Sequence, residues 1–260
     1  MLFRDLPFHQ QPLGPPLAIS QLSHAWISGQ LLRAWNDNFE EPLLLAAEQH
    51  DIGWMDWETA PSFNAQSGRP HLFREVGAAV HAPMWTRGVE RALAAWGSHV
   101  ALLVSRHGGV IYGRYTDRHR VAEADAKAAQ GYLDAQRPIE AAWARSLGLD
   151  AAALERQTAL VALVDTLSLA LCGELKAPLE LRAPDRSGRL QTLRLDARPG
   201  HAFEFTLSPW PFRADVVTVE GEARPLPAAG RFADEAAMRA WFKSAERTAF
   251  HARLVAEGRA

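Results

Sequence analysis

Apolar positions recur at helical spacing through the first two thirds of the chain and alternate through most of the remainder. Ser20 or Ser23 can cap a helix running to about Trp35, with Leu22, Trp26, Leu31, Leu32 and Trp35 as its apolar positions. Asn36-Asp37-Asn38 closes it, and Pro42 stands near the start of a second helix. That helix carries the apolar run Leu43 to Ala47 and ends at His50-Asp51, with Gly53 marking the turn. A long pattern from Thr86 to His107 (Val89, Leu93, Trp96, Val100, Leu103, Val104) predicts one helix, stopped by Gly108-Gly109. Residues 117–136 read as a charged, alanine-rich helix, and a short one follows Pro138 through Leu147. Asp150 then caps a strong helix from Ala151 to about Cys172, with Leu160, Leu163, Val164, Leu167 and Leu171 inward.

Beyond Gly173 the period falls to two. Leu179 to Leu181, Leu190 to Leu195, Phe203 to Phe205 and Val216 to Val219 alternate, separated by Ser187-Gly188, Pro199-Gly200 and Pro209-Trp210-Pro211. The pattern predicts a small antiparallel sheet over roughly 177–225, closed by an amphipathic helix from Asp234 to about Val255. Two stretches have no period: a Pro- and Gln-rich lead-in over residues 1–17, and a surface loop from Met55 to Pro70. Asp56 and Glu58 in that loop read as a solvated face, with acid–base work as the alternative. The expected fold is mainly α: a helical bundle over residues 18–172, with a C-terminal α+β appendage over 173–260 packed on it.

Composition narrows function more than fold. A net charge of −2 provides no basic field for nucleic acid or an anionic membrane surface. No run of about 18 apolar residues offers a membrane span. Charge and proline interrupt Met1 to Pro7 before a signal-peptide core forms. The single cysteine, Cys172, excludes an internal disulfide and a thiolate zinc cage, and reads as inert packing. The expectation is a cytoplasmic protein with a small-molecule substrate; oligomeric state stays open.

Ten histidines and nine tryptophans are the unusual features. His50 beside Asp51 offers an imidazole nitrogen and a carboxylate, ligand types suited to Zn, Fe or Mn. His24 lies on the preceding helix, His81 ahead of Ala82-Pro83, and His107 at the end of the long helix. Asp165 stands in the middle of an apolar helix, where an unpaired carboxylate is costly. Each comes from a different helix or helix junction, as when a bundle builds a metal centre from facing side chains. His99 shares a helix with His107 but lies about 80° around the axis, so it reads as core or interface. His9, His71, His119, His201 and His251 lack partners at ligand spacing and read as surface.

The order His24, His50-Asp51, Asp165 resembles the HD superfamily of metal-dependent phosphohydrolases and phosphodiesterases. His50-Asp51-Ile52-Gly53 is similar to its HD-x-G turn, Val164-Asp165-Thr166-Leu167 to its last apolar helix, and His81 and His107 to the extra histidines of its two-metal subset. The sequence also resembles a conserved bacterial family of unknown function. The HD resemblance covers residues 18–172 and implies two divalent cations (Fe, Mn or Zn). His24, His50, Asp51 and Asp165 would hold one, and His81 and His107 the other, with Asp51 bridging and catalytic. It implies a hydrolase acting on a phosphate ester or related small metabolite through a metal-activated hydroxide. The ligand set is equally similar to that of HD-type mixed-valent di-iron oxygenases, and a non-catalytic metal-binding protein is a third reading. Many two-metal HD proteins carry lysine where this chain has Trp54, which implies an apolar or stacking wall there. Trp54 and Trp57, with Trp85, can line a substrate pocket or simply pack the core. Arg106 beside His107 can clamp an anion or bridge the surface; Arg74, Arg87 and Arg114 are further cations near the histidines.

Overall fold

The computed structural model describes all residues except 5–14, 115–120, 174, 186–188, 200, 202, 228 and 259–260. Two short strands, β1 (Leu2–Arg4) and β2 (Leu17–Ile19), flank the first of these gaps. Helix α1 (Gln21–Ala34) starts where the Ser20 hydroxyl oxygen accepts from Ser23 N at 3.0 Å. Helix α2 (Glu41–Gln49) has a proline in its first turn and delivers His50-Asp51 to a 3-10 turn, Ile52–Trp54. The segment expected as a loop holds a helix, α3 (Met55–Thr59), and a two-stranded ribbon, β3 (Phe63–Asn64) and β4 (Arg69–Pro70). Elements this short show no readable period.

The predicted Thr86–His107 helix is two helices, α4 (Ala78–Trp96) and α5 (Ser98–Gly113). They meet at Gly97, whose φ of 85° lies in the left-handed region that glycine tolerates best. Helix α5 passes through Gly108-Gly109 instead of stopping there. At Gly108 a Cβ would lie 2.7 Å from both Trp85 Nε1 and Tyr132 Oη, so that glycine serves close packing. Helix α6 (Glu123–Ser146) continues through Pro138 as one helix, and α7 (Ala151–Leu171) starts from the Asp150 cap.

Strands β5 (Leu179–Pro184), β6 (Leu190–Ala197), β7 (Glu204–Ser208) and β8 (Val216–Pro225) follow, then helix α8 (Glu235–Ser244) and strand β9 (Thr248–Ala256). The mainly helical bundle with a small C-terminal sheet and closing helix is overturned. Of the described residues, 53% are helix and 21% strand, and seven strands form a curled half-barrel. Their order is β1-β2-β8-β9-β7-β6-β5, antiparallel throughout except for the parallel β7–β9 pair. Three of these strands escaped the sequence pattern. The first two are only three residues each, and β9 lies where the closing helix was expected. In β9, Phe250, Ala252 and Leu254 are buried while Ala249 and His251 are exposed. Pairing with two neighbouring strands outweighs the helical propensity of its alanines.

Helices and sheet share one core, running from Leu2 and Ile19 through Ile27, Leu103, Leu160 and Leu167 to Leu195, Phe205 and Leu254. Helix α1 lies at its centre, against α2, α7 and β8. Gln30 ties it to the sheet, donating to Glu220 O at 2.8 Å and accepting from Glu220 N at 2.9 Å. Among the described residues no helix is long and apolar enough to cross a membrane.

The turn after His50-Asp51 touches α4 backbone to backbone. A Cβ on Gly88 would lie 2.8 Å from Gly53 Cα, and one on Gly53 would lie 2.8 Å from the Met84 carbonyl oxygen. Gly88→Ala is therefore expected to lower the unfolding free energy by about 1–3 kcal/mol, measured by urea denaturation. Gly131→Ala, on an open face of α6 with nothing within 4 Å, is expected to raise it by about 0.5–1 kcal/mol. A neutral Gly88→Ala would contradict the close crossing.

Candidate metal centre

Four elements deliver the cluster. Helix α1 brings His24, α2 ends at His50 and Asp51, α5 carries His107 and α7 carries Asp165. His24 Nε2 lies 2.7 Å from Asp51 Oδ2, and His50 Nε2 lies 3.8 Å from that same oxygen. Asp165 turns a different oxygen to each of two histidines. Its Oδ1 is 3.4 Å from His50 Nε2 and its Oδ2 is 3.7 Å from His107 Nε2. His24, His50 and Asp51 make one group able to hold a cation; His50, His107 and Asp165 make another.

The outer hydrogen bonds determine which nitrogens face inward. His50 Nδ1 meets the Ala47 carbonyl at 2.8 Å, and a carbonyl can only accept, so Nδ1 carries the proton. In the neutral ring, Nε2 is then a lone pair. It is buried without a hydrogen-bond partner among the described residues, facing two carboxylates. His24 is held in a similar way. Its Nδ1 lies 2.8 Å from Ser168 Oγ, and that hydroxyl donates to Asp165 O at 2.8 Å. Ser28 braces Ser168 from α1, its hydroxyl 2.9 Å away. Such partners fix ring orientation at metal sites.

Lone pairs facing carboxylates repel unless a proton or a cation stands between them. Burial opposes charge on His50, yet the charges of Asp51 and Asp165 raise it to about 9. Burial would push Asp165 up, but the surrounding histidines hold it well below the usual carboxylate range. His107 is pulled down to about 4, first by burial and then by the charge on His50. One site thus keeps one imidazole charged and its neighbour neutral.

A cavity of about 590 Å³ opens over the cluster, lined by His24, Asp51, His107 and Asp165 together with Trp54, Phe73 and Trp85. His81 lines the cavity but belongs to neither group of three. Its Nδ1 lies 2.7 Å from Tyr112 Oη with the rings stacked, and burial lowers it to about 4. Trp54 and Trp85 are walls, whereas Trp57 stands behind Trp54, edge-on at 5.5 Å. Arg106 does not reach the cavity. Successive helical side chains diverge by about 100°, and Arg106 points from α5 to Thr158, Glu155 and Glu140. Arg74 and Arg114 line the cavity instead, and Arg87 and Arg91 pair with Asp56.

Glu58, expected to be solvated, is buried and accepts from Gln21 N at 2.9 Å. His99 meets Gln157 Oε1 at 2.9 Å, apart from the cluster. Cys172 is buried, which pushes its thiol up to about 12. His201 and His251 are exposed, His71 is half-buried, and His9 and His119 lie outside the described residues. Ser28, Ser168, Tyr112 and Gln21 escaped the sequence reading. Helical spacing offered a signal for three of them: Gln21 and Ser28 flank His24 by three and four positions, and Ser168 follows Asp165 by three.

The titrations imply a pH optimum for the cation-free protein. His81 and His107 are lowered, so stability falls as pH drops from about 6.5 towards 4. His50 is raised, so its contribution is complete below about 6.5 and lost as pH climbs towards 9. Chelator-treated protein is expected to melt highest near pH 6.5. Melting curves across that range check this, and a Tm level between pH 6.5 and 9 would contradict the raised His50.

The sequence matches the family described as Protein of unknown function (DUF3891) over residues 14–228, a span that includes all six residues from His24 to Asp165. No curated protein and no solved structure matches. With most of its length inside the match, the chain belongs to the DUF3891 family of proteins of unknown function.

Proposed function

We propose that this chain is a metal-dependent hydrolase of small phosphate esters, of the HD type, with two divalent cations (Fe, Mn or Zn) in the cavity. The observation that carries the reading is the convergence of His24, His50, Asp51, His107 and Asp165 into two overlapping groups able to hold a cation, with His24, Asp51, His107 and Asp165 lining an open cavity. An all-imidazole and carboxylate donor set suits these ions. His24, His50, Asp51 and Asp165 would hold one cation, and His81 and His107 the second. Asp165 is the better shared carboxylate, because its two oxygens face different histidines, whereas Asp51 turns Oδ2 to both His24 and His50.

Bound divalent cations polarise a phosphoryl oxygen and lower the pKa of a water. The protein's own part is positioning. Ser168 and the Ala47 carbonyl orient His24 and His50, and Trp54 and Trp85 supply an apolar wall that limits water. Arg74 and Arg114 add positive charge to the same cavity and favour an anionic substrate.

Protein loaded with Mn or Zn is expected to release phosphate from simple monoesters. Ser168→Ala should reduce the rate roughly 10–100-fold with the fold retained, while Arg106→Ala leaves it unchanged. Oxygen consumption by iron-loaded protein, without phosphate release, would replace this reading with the di-iron oxygenase. Bound metal with neither activity would leave a non-catalytic metal protein.

A further inference from the structure

We propose that a second cavity, separate from the metal centre, binds a small organic carboxylate with an apolar or aromatic body, and that Arg224 holds its anionic end. The inference is independent of the hydrolase reading. This cavity, of about 470 Å³, is lined from α1, α3, β8 and α8. Helix α1 stands between the two cavities: its Leu22, Ser23 and Trp26 line this one, whereas Gln21 and His24 line the other.

Four charged residues line it, and three are spoken for. Arg247 donates to Glu222, and Glu58 Oε1 accepts from Gln21 N at 2.9 Å. Arg224 has no hydrogen bond or ion pair among the described residues; its guanidinium lies 5.6 Å over the Phe242 ring. Glu58 and Glu222 attract it from a distance, but neither pairs with it. The residue is part-exposed, and only its Nε is shut inside the fold, so both Nη groups keep accessible surface. Burial first, and then the charge of Arg247, lowers Arg224 from the ordinary guanidinium value, and an arriving anion offsets both effects. A guanidinium fork matches a carboxylate through two parallel N–H bonds. Ser20 adds a further donor, since its oxygen already accepts from Ser23 N and its proton is left over. Glu58 and Glu222 in the same wall disfavour a phosphate dianion, which selects a singly charged ligand. The apolar end of that ligand is set by Trp26 and Met55, two exposed large apolar side chains that line the cavity with Phe242. Apolar walls around a few placed polar groups are the ordinary make-up of a small-molecule site.

Calorimetric titration of the full chain with phenylacetate and its neutral amide, phenylacetamide, tests this. The protein is chelator-treated first, so that no cation in the other cavity captures the acid. Phenylacetate should bind at least about tenfold more tightly than the amide. Arg224→Met should erase that preference without weakening the amide, and Trp26→Ala should weaken both probes. Arg114→Gln, which alters the metal-centre cavity, should leave both affinities unchanged. If the methionine variant does not fold, Arg224→Lys serves in its place: it keeps the charge but loses the fork, and should bind the acid less tightly than the parent. Equal affinity for acid and amide, an undiminished preference without Arg224, or no saturable binding of phenylacetate at millimolar concentration would overturn the assignment. Loss of the acid in Arg114→Gln would place it in the metal-centre cavity and overturn it equally.

Discussion

Two carboxylates and three imidazoles packed into an apolar interior demand a compensating positive charge. Asp51 and Asp165 come from different helices, and His24, His50 and His107 fill the space around them. Buried charges without partners cost several kcal/mol each even after relaxation, so the arrangement persists only with a proton or a cation among these groups. Without a cation, His50 takes the proton; with one, its lone pair is already oriented by the Ala47 carbonyl. The same donor set serves both states, which is what a pre-organised metal centre requires.

The scaffold supports that demand from two directions. Helix α1 is clamped to strand β8 through the reciprocal Gln30–Glu220 bonds, and its other faces pack on α2 and α7. On the far side, the glycine contact between the 3-10 turn and α4 fixes how close Asp51 comes to His81 and Trp85. The half-barrel thus braces the helices, and the helices carry the histidine–aspartate cluster.

Sequence pattern made the helices and the histidine–aspartate cluster legible, because a charged or imidazole side chain in an apolar helix stands out against its period. Asp165 within Leu163, Val164 and Leu167 is the clearest case. It could not reveal β1, β2 or β9, two of them too short to show alternation and one rich in alanines that suit a helix equally well. Arg106 misled because adjacency in sequence is not adjacency on a helix. Gln21, Ser28 and Ser168 were missed because a polar residue on a helix face is ordinary until its side chain is found buried, and burial is a tertiary property.

Metal content decides the central claim. Freshly purified protein is assayed for Fe, Mn and Zn, then stripped and titrated with each ion, together with Asp165→Ala. The expected result is about two equivalents of cation per chain, with at least one lost in the variant. Failure to bind any of these ions under every loading condition, in folded protein, would contradict a metal centre and leave His50 protonated between its two carboxylates as the whole explanation of the cluster.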